Sequence, residues 1–261
     1  MWRRIYGLVL RYLYLYRRSL ARTGDIVFWP VMNLLVWGFV TRYLETVAVP
    51  TAVLFLIGAI IFWDLLYRSQ QAITLGMTEE IWVRNLINLF IAPVHTWEMV
   101  TSMCIVGILR SVITTALLAV LAWIFYAFNF LLLGPAMVLF FFHLLLFGWA
   151  VGLCTMALVL RYGHAAEALV WGVPFLIQPI TAVFYPVQVL PGWLQQVAYL
   201  LPSTYVFEGM RHVIGGKGVN YSAMGLALAL NILYLLGAGL FFGWMLRRVQ
   251  QLGLLTRLNV E

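Results

Sequence analysis

The histidines of this 261-residue sequence, His95, His143, His164 and His212, fall in four separate segments. None stands beside a cysteine or carboxylate at a metal-ligand spacing, so no metal site is expected. Ser19, Ser69, Ser102, Ser111, Ser203 and Ser222 lack a nucleophile context such as G-x-S-x-G. A phosphate-cradling loop needs G-x-x-x-x-G-K-[ST], because its amides wrap the phosphates while the lysine reaches them. The single Gly-Lys pair, Gly216-Lys217, is followed by Gly218 and does not fit. The chain is therefore expected to be no enzyme and to bind no cofactor of its own. Cys104 and Cys154 lie inside apolar runs and read as buried thiols, with no disulfide framework.

Three charges do stand inside or at the edge of apolar runs, where ionised groups are costly and face protein or water. Asp25 and Asp64 lie near run ends, as snorkelling or capping residues would. Arg110 lies deep in its run. Two readings stand side by side: it pairs with a carboxylate or carbonyls to fix helix register, or it attracts anions in a substrate path.

The elements that must position these residues are helices in lipid. The sequence is 64% hydrophobic and 10% charged, with a mean hydropathy of +0.96. Soluble domains are about half apolar and about a quarter charged. An all-α integral membrane protein of one domain follows. A bilayer span needs about 20 apolar residues, and six segments qualify: residues 26–43, 51–67, 99–128, 134–160, 168–184 and 223–246. Gly148 and Gly152, and again Gly239 and Gly243, have the spacing that lets helices approach closely.

Residues 2–22 predict an amphipathic interface helix. At 100° per residue, Arg4, Arg11, Arg18 and Arg22 share one side, opposite Trp2, Ile5, Leu8, Val9, Tyr12, Tyr16 and Leu20. Such a helix lies on membrane lipids with its basic side at the headgroups; a basic tail is the alternative. The net charge of +7 flanks apolar segments, so orientation in a membrane explains it and no nucleic-acid partner is expected. Arg3, Arg4, Arg11, Arg17, Arg18, Arg22, Arg68, Arg84, Arg161, Arg247, Arg248 and Arg257 fall on one side, Arg42, Arg211 and Lys217 on the other. That bias predicts both termini in the cytosol. No signal peptide is visible, because arginines interrupt the first apolar stretch.

Two stretches remain. Residues 69–98 are expected to form a loop, and the stretch 79–99 is a polar-to-amphipathic island containing Arg84-Asn85-Leu86, Leu89 and Ile91-Ala92-Pro93. Residues 185–218 are apolar yet broken by Pro186, Pro191 and Pro202. Irregular backbone at membrane depth survives only when buried in protein or lining a cavity. This stretch is expected to dip back as one or two short helices; a folded external cap is the alternative.

Taken in order, the basic N-terminal helix, the loop R-N-L-x-x-L-x-I-A-P, six spans and the stretch Y-P-V-x-x-L-P-x-W-L-x-x-V-x-x-L-x-P resemble the ABC type-2 exporter permeases. That group includes nodulation-factor, daunorubicin and O-antigen exporters. The resemblance implies a transmembrane subunit of an exporter in the inner membrane, working as two copies of the permease with two ABC ATPase subunits that bind the ATP and Mg. It implies a cytosolic coupling helix carried by Arg84, Asn85, Leu86, Leu89, Ala92 and Pro93. It also implies outer re-entrant helices that close the exit, with Tyr185, Pro186, Leu190, Pro191, Trp193, Leu194, Pro202 and Tyr205. The sequence departs from the pattern at Ile87-Asn88, where family members often carry acidic residues. The expected substrate is amphipathic: a lipid-linked glycan, a lipid or a drug-like molecule. The 17 Phe, 13 Tyr and 11 Trp either line its path or form interfacial belts. Two other classes, a membrane-embedded lipid-modifying enzyme and a non-transporting assembly factor, lack the convergent carboxylates or histidines, or any positive signature.

Overall fold

A computed structural model describes residues 1–47 and 50–254, apart from the side chains of residues 20–23, 25, 47, 50–53, 87 and 164. The expectations for Arg22, Asp25, His164 and Arg257 lie outside the described side chains. Every regular element is helical among the described residues. They are α1 (Trp2–Arg18), α2 (Leu20–Val47), α3 (Pro50–Trp82), α4 (Leu86–Ile91) and α5 (Thr96–Tyr126). There follow α6 (Ala136–Tyr162), α7 (Glu167–Ile177), α8 (Gly192–Tyr199), α9 (Pro202–Ile214) and α10 (Tyr221–Gln251).

Four helices are long and apolar enough to cross a bilayer among the described residues: α2 from Ile26, α5, α6 and α10. The other two expected spans differ. The second does not end at residue 67: α3 runs on through Trp82 for 33 residues, about 50 Å at 1.5 Å per residue. Its lower half carries Ser69, Gln70, Gln71, Thr74, Thr78 and Glu80, all buried. Lipid cannot solvate such groups, so neighbouring helices must. Gln71 donates to the Val170 carbonyl of α7 at 2.8 Å, and Thr74 to the Gly152 carbonyl of α6 at 3.2 Å. The loop thus begins near Val83, not at residue 69, and Arg68 sits mid-helix rather than at a span end. The fifth expected span is only an 11-residue helix, about 16 Å long. Pro174 already interrupts its hydrogen bonding, and Pro179 follows in a run of turns.

The centre of the fold is α6, the most buried of the four long apolar helices. Gly148 and Gly152 seat α3 against it: a Cβ at Gly148 would lie 1.7 Å from Ser69 Oγ, and one at Gly152 would lie 2.9 Å from the Gln70 carbonyl. The second glycine pair behaves differently, since Gly239 and Gly243 face open space. On α10 the outward residues Leu233, Leu236, Leu240 and Trp244 are exposed, as a lipid-facing helix requires. Among the described residues two large apolar cores divide the molecule, with a small third one around Leu190. One, at the α4 end, joins α1, lower α3, α4, the start of α5 and the ends of α6 and α10. The other, at the α9 end, joins upper α3 and α5, the start of α6, and α9.

Helix α1 is shorter than residues 2–22, ending at Arg18 where Ser19 is extended. Its apolar side is used differently from the expectation. Ile5, Leu8, Val9 and Tyr12 are buried in the α4-end core instead of facing lipid, while Trp2, Tyr6, Leu13 and Tyr14 stay exposed.

Candidate functional site

At the α4 end, Glu80 gathers three elements. Arg11 of α1 grips it with two nitrogens at 2.7 and 2.8 Å, and Asn85 Nδ2 donates to it at 2.7 Å. The fork-to-carboxylate arrangement is the strongest geometry such a pair can adopt. The hydrogen bond that Arg11 donates to Glu80 holds its guanidinium above the ordinary pKa, and burial raises that of Tyr12. Asn88 donates to Asn85 at 3.1 Å, and Arg4 approaches Glu98 at 3.7 Å. So two of the arginines expected at headgroups, Arg4 and Arg11, meet carboxylates; Arg18 is exposed.

Helix α4 forms after a turn in which Arg84 adopts φ 54°, a left-handed conformation that side chains with a Cβ resist. Leu86 and Leu89 point inward and anchor α4 in the chain's own core. Asn85 and Ala92 are half-buried. The outward face consists of Arg84, Asn88, Ile91 and Pro93, flanked by Trp82, Val83 and Trp97. Ile91 is the most exposed of these apolar side chains, at 76%.

Between α2, α3 and α7 opens a cavity of about 650 Å³, within the range of small-molecule sites. Trp29 and Trp37 of α2, Trp63 and Tyr67 of α3, and Trp171 and Phe175 of α7 form its walls, with Phe184 beyond. Trp37 and Phe184 stack at 4.5 Å. These aromatics line a common space. The polar lining is Asn33, Asp64, Arg68, Gln71, Gln178 and Arg110. Asp64 lies 3.4 Å from Arg68, one turn along α3. Arg110, midway along α5, donates to the Tyr16 hydroxyl at 2.6 Å and stacks on that ring at 4.7 Å. It therefore ties α5 to α1 through a phenol, not through the carboxylate or carbonyls expected, and it also lines the cavity.

At the α9 end, α9 wedges between the upper parts of α3, α6 and α10. Met210 approaches Gly58, while Gly209 meets Phe140 and Met224. Arg211 binds Glu208 at 2.7 Å and donates to the carbonyls of Ala182, Val183 (3.2 Å) and Tyr185 (2.5 Å), its guanidinium 4.1 Å over Phe55. Tyr185 donates to the Pro179 carbonyl at 2.6 Å, and Tyr205 to that of Tyr199 at 2.8 Å. Pro186 and Pro191 stand at the N-cap of the turn and the helix that follow, and Pro202 is the first residue of α9, after Leu201 at its N-cap. Leu190 is buried beneath α8 and Leu194 packs on the same small core, whereas Trp193, Val197 and Leu200 are exposed.

The described residues hold no group of three His, Cys, Asp or Glu that could bind a metal. His143 pairs with Asn231 of α10 at 3.1 Å. Sequence reasoning missed Glu80, Tyr16 and Asn231 as partners, since each acts across a long sequence separation.

Helical spans, a buried polar helix and a two-ended core describe a membrane domain, and the sequence profile of the ABC-2 type transporter family matches residues 11–214 of it. The chain belongs to the ABC-2 type transporter family. This ABC-2 chain is a multi-pass membrane protein and a transmembrane component of an ABC transporter. The matched region runs from Arg11 of α1 through the end of α9, and so takes in both ends and the cavity. No curated protein matches the sequence.

Proposed function

We propose that this chain is the permease of an ATP-driven exporter, moving an amphipathic molecule out of the cytosol through the inner membrane. Two copies of it work with two ATPase subunits that supply ATP and Mg chemistry. The observation that carries this reading is the aromatic-walled cavity between α2, α3 and α7. Its rings suit acyl chains, sugars or drug-like bodies, and its polar residues suit a head. The exposed α4 face of Arg84, Asn88, Ile91 and Pro93 is the surface for the ATPase, on the cytosolic side with both termini. The exposed Trp193, Val197 and Leu200 of α8 form a patch for the same helix of the second copy, since a two-fold contact brings a patch against itself.

The test is purification of the tagged chain from native membranes. An ABC ATPase is expected to co-purify with the wild type and to be lost from an Ile91→Glu variant, because an unpaired buried charge costs several kcal/mol. Wild-type protein that carries no ATPase overturns the reading. Cysteine at Gly218 should label with an impermeant reagent in intact cells and cysteine at Asn88 should not; the reverse pattern overturns the orientation. Cysteine at Gln196, exposed on α8, is expected to crosslink two copies. Gln195 is the poorer position, because its amide donates to the Leu190 carbonyl at 2.8 Å.

A further inference from the structure

We propose that the cavity selects an amphiphile with an anionic head, phosphate or carboxylate, and that Arg110 holds that head. The inference rests on the exporter reading and adds the charge of the cargo. Two carriers of positive charge line the cavity, Arg68 and Arg110, against one carboxylate, Asp64, among the described residues. Asp64 faces Arg68 at 3.4 Å, so that pair is close to neutral. Arg110 is different. It is only 6% exposed, and its hydrogen-bonded partner is the uncharged Tyr16 hydroxyl. Its Nε has no partner among the described residues, and no carboxylate there lies within ion-pair distance.

A guanidinium buried midway along a membrane helix with no counter-ion among the described residues is electrostatically costly, and an anion brought to it recovers much of that cost. Planar forks favour two-oxygen acceptors, which phosphate and carboxylate present. The cavity beside it supplies the complement for the rest of such a molecule, with Trp37, Trp63 and Tyr67 on its walls. Tyr16 then acts as a placeholder: its ring and hydroxyl occupy Arg110 while the cavity is empty of cargo. An arriving head competes with that hydroxyl and, in displacing it, loosens the tie between α1 and α5.

The test uses the full chain in phosphatidylcholine nanodiscs, titrated by calorimetry with decyl phosphate, decyl glucoside and inorganic phosphate. Decyl phosphate is expected to bind at least about tenfold more tightly than either of the others, the factor a charge-assisted hydrogen bond supplies. Arg110→Gln should abolish the preference over decyl glucoside, and Arg110→Lys should keep part of it. Tyr16→Phe should tighten decyl phosphate binding several-fold, an effect that a purely structural Arg110–Tyr16 contact would not produce. Equal affinity for phosphate and glucoside, no binding of any probe, or a preference that survives Arg110→Gln overturns the inference. Inorganic phosphate binding as tightly as decyl phosphate does so too, since the cavity walls would then contribute nothing. If Arg110→Gln fails to fold, the Tyr16→Phe result decides, and unchanged or weaker binding is the negative. A chain that co-purifies with its ATPase but shows no preference sinks only this inference. One that shows the preference without any ATPase sinks the exporter reading instead.

Discussion

The two ends of the molecule are both tied by arginines, but to different kinds of partner. At the α4 end Arg11 and Arg4 reach from α1 to carboxylates on α3 and α5, and their own side chains remain 35% and 47% exposed. At the α9 end Arg211 is 13% exposed and spends its donors on backbone carbonyls of the 182–185 turn as well as on Glu208. Glu80 and Glu98 are themselves buried, so these ties are not surface pairs, but their cations stay part-solvated and can exchange a carboxylate for water. A buried fork that satisfies carbonyls cannot let go without orphaning them. The α4 end is therefore built to shift, and the α9 end to move as one piece. An exit at α8 and α9 would open by displacement of the whole wedge, not by its unravelling.

The largest expected effect breaks the rigid end. Arg211→Met keeps much of the side-chain volume but leaves the Ala182, Val183 and Tyr185 carbonyls without that donor and Glu208 without its cation. Breaking a buried charge cluster of this kind costs about 3–5 kcal/mol. At about 2–4 °C per kcal/mol for a chain of this size, the apparent melting temperature should fall by about 10 °C. Circular dichroism of the purified protein reads it. A fall of under about 2 °C would mean that the turn is held by something else, and the contrast between the ends would collapse.

How much of this was legible in the sequence follows the range of each interaction. The period of Arg4, Arg11 and Arg18 gave away α1, because it repeats within one helix. Its docking did not show, since Arg11 and Glu80 are 69 residues apart. Apolar runs marked α2, α5, α6 and α10, but hydropathy cut α3 at residue 67. The Ser69-Gln70-Gln71 tract reads as loop until α6 and α7 are there to accept its hydrogen bonds. Leu86 and Leu89 matched a docking motif by type, yet the 3.6-residue period of α4 turns both inward. The prolines of residues 186–202 were readable as breaks because proline acts locally. The cavity was invisible, for its aromatics come from three helices and a turn.

A middle-sized effect tests the adaptable end. Arg11→Ala should cost about 1 kcal/mol, well below the Arg211 change, because Arg11 is partly solvated and Asn85 still serves Glu80. Glu80→Gln should cost a similar amount. The double variant should be less destabilised than the two singles added together, since neighbours in one network are not additive. Salt of about 1 M, where screening acts within about 3 Å, should reduce the Arg11 effect and leave the Arg211 effect nearly intact. Equal salt sensitivity at both ends would erase the distinction between exchangeable and sealed ties.

The smallest expected effect compares two strained residues, one at each end. Arg84 and Ala182 both adopt left-handed backbone, with φ of 54° and 52°. Glycine removes the Cβ that makes this conformation unfavourable, at about 1–2 kcal/mol, but glycine also gives the unfolded chain more freedom, which offsets up to about 1 kcal/mol. Both glycine variants should therefore melt within about 1 kcal/mol of the wild type, on the stabilised side. Their consequences for function should diverge. Ala182 is fully buried and offers its carbonyl to Arg211, and the main chain of Ala182→Gly can still make that bond, so transport should be unchanged. Arg84→Gly frees the turn before α4 and deletes an exposed cation from the face assigned to the ATPase. Co-purification of the ATPase should weaken although the permease itself is no less stable. If Arg84→Gly binds the ATPase as the wild type does, the left-handed turn is only a connection, and recognition falls to Ile91 and the flanking tryptophans.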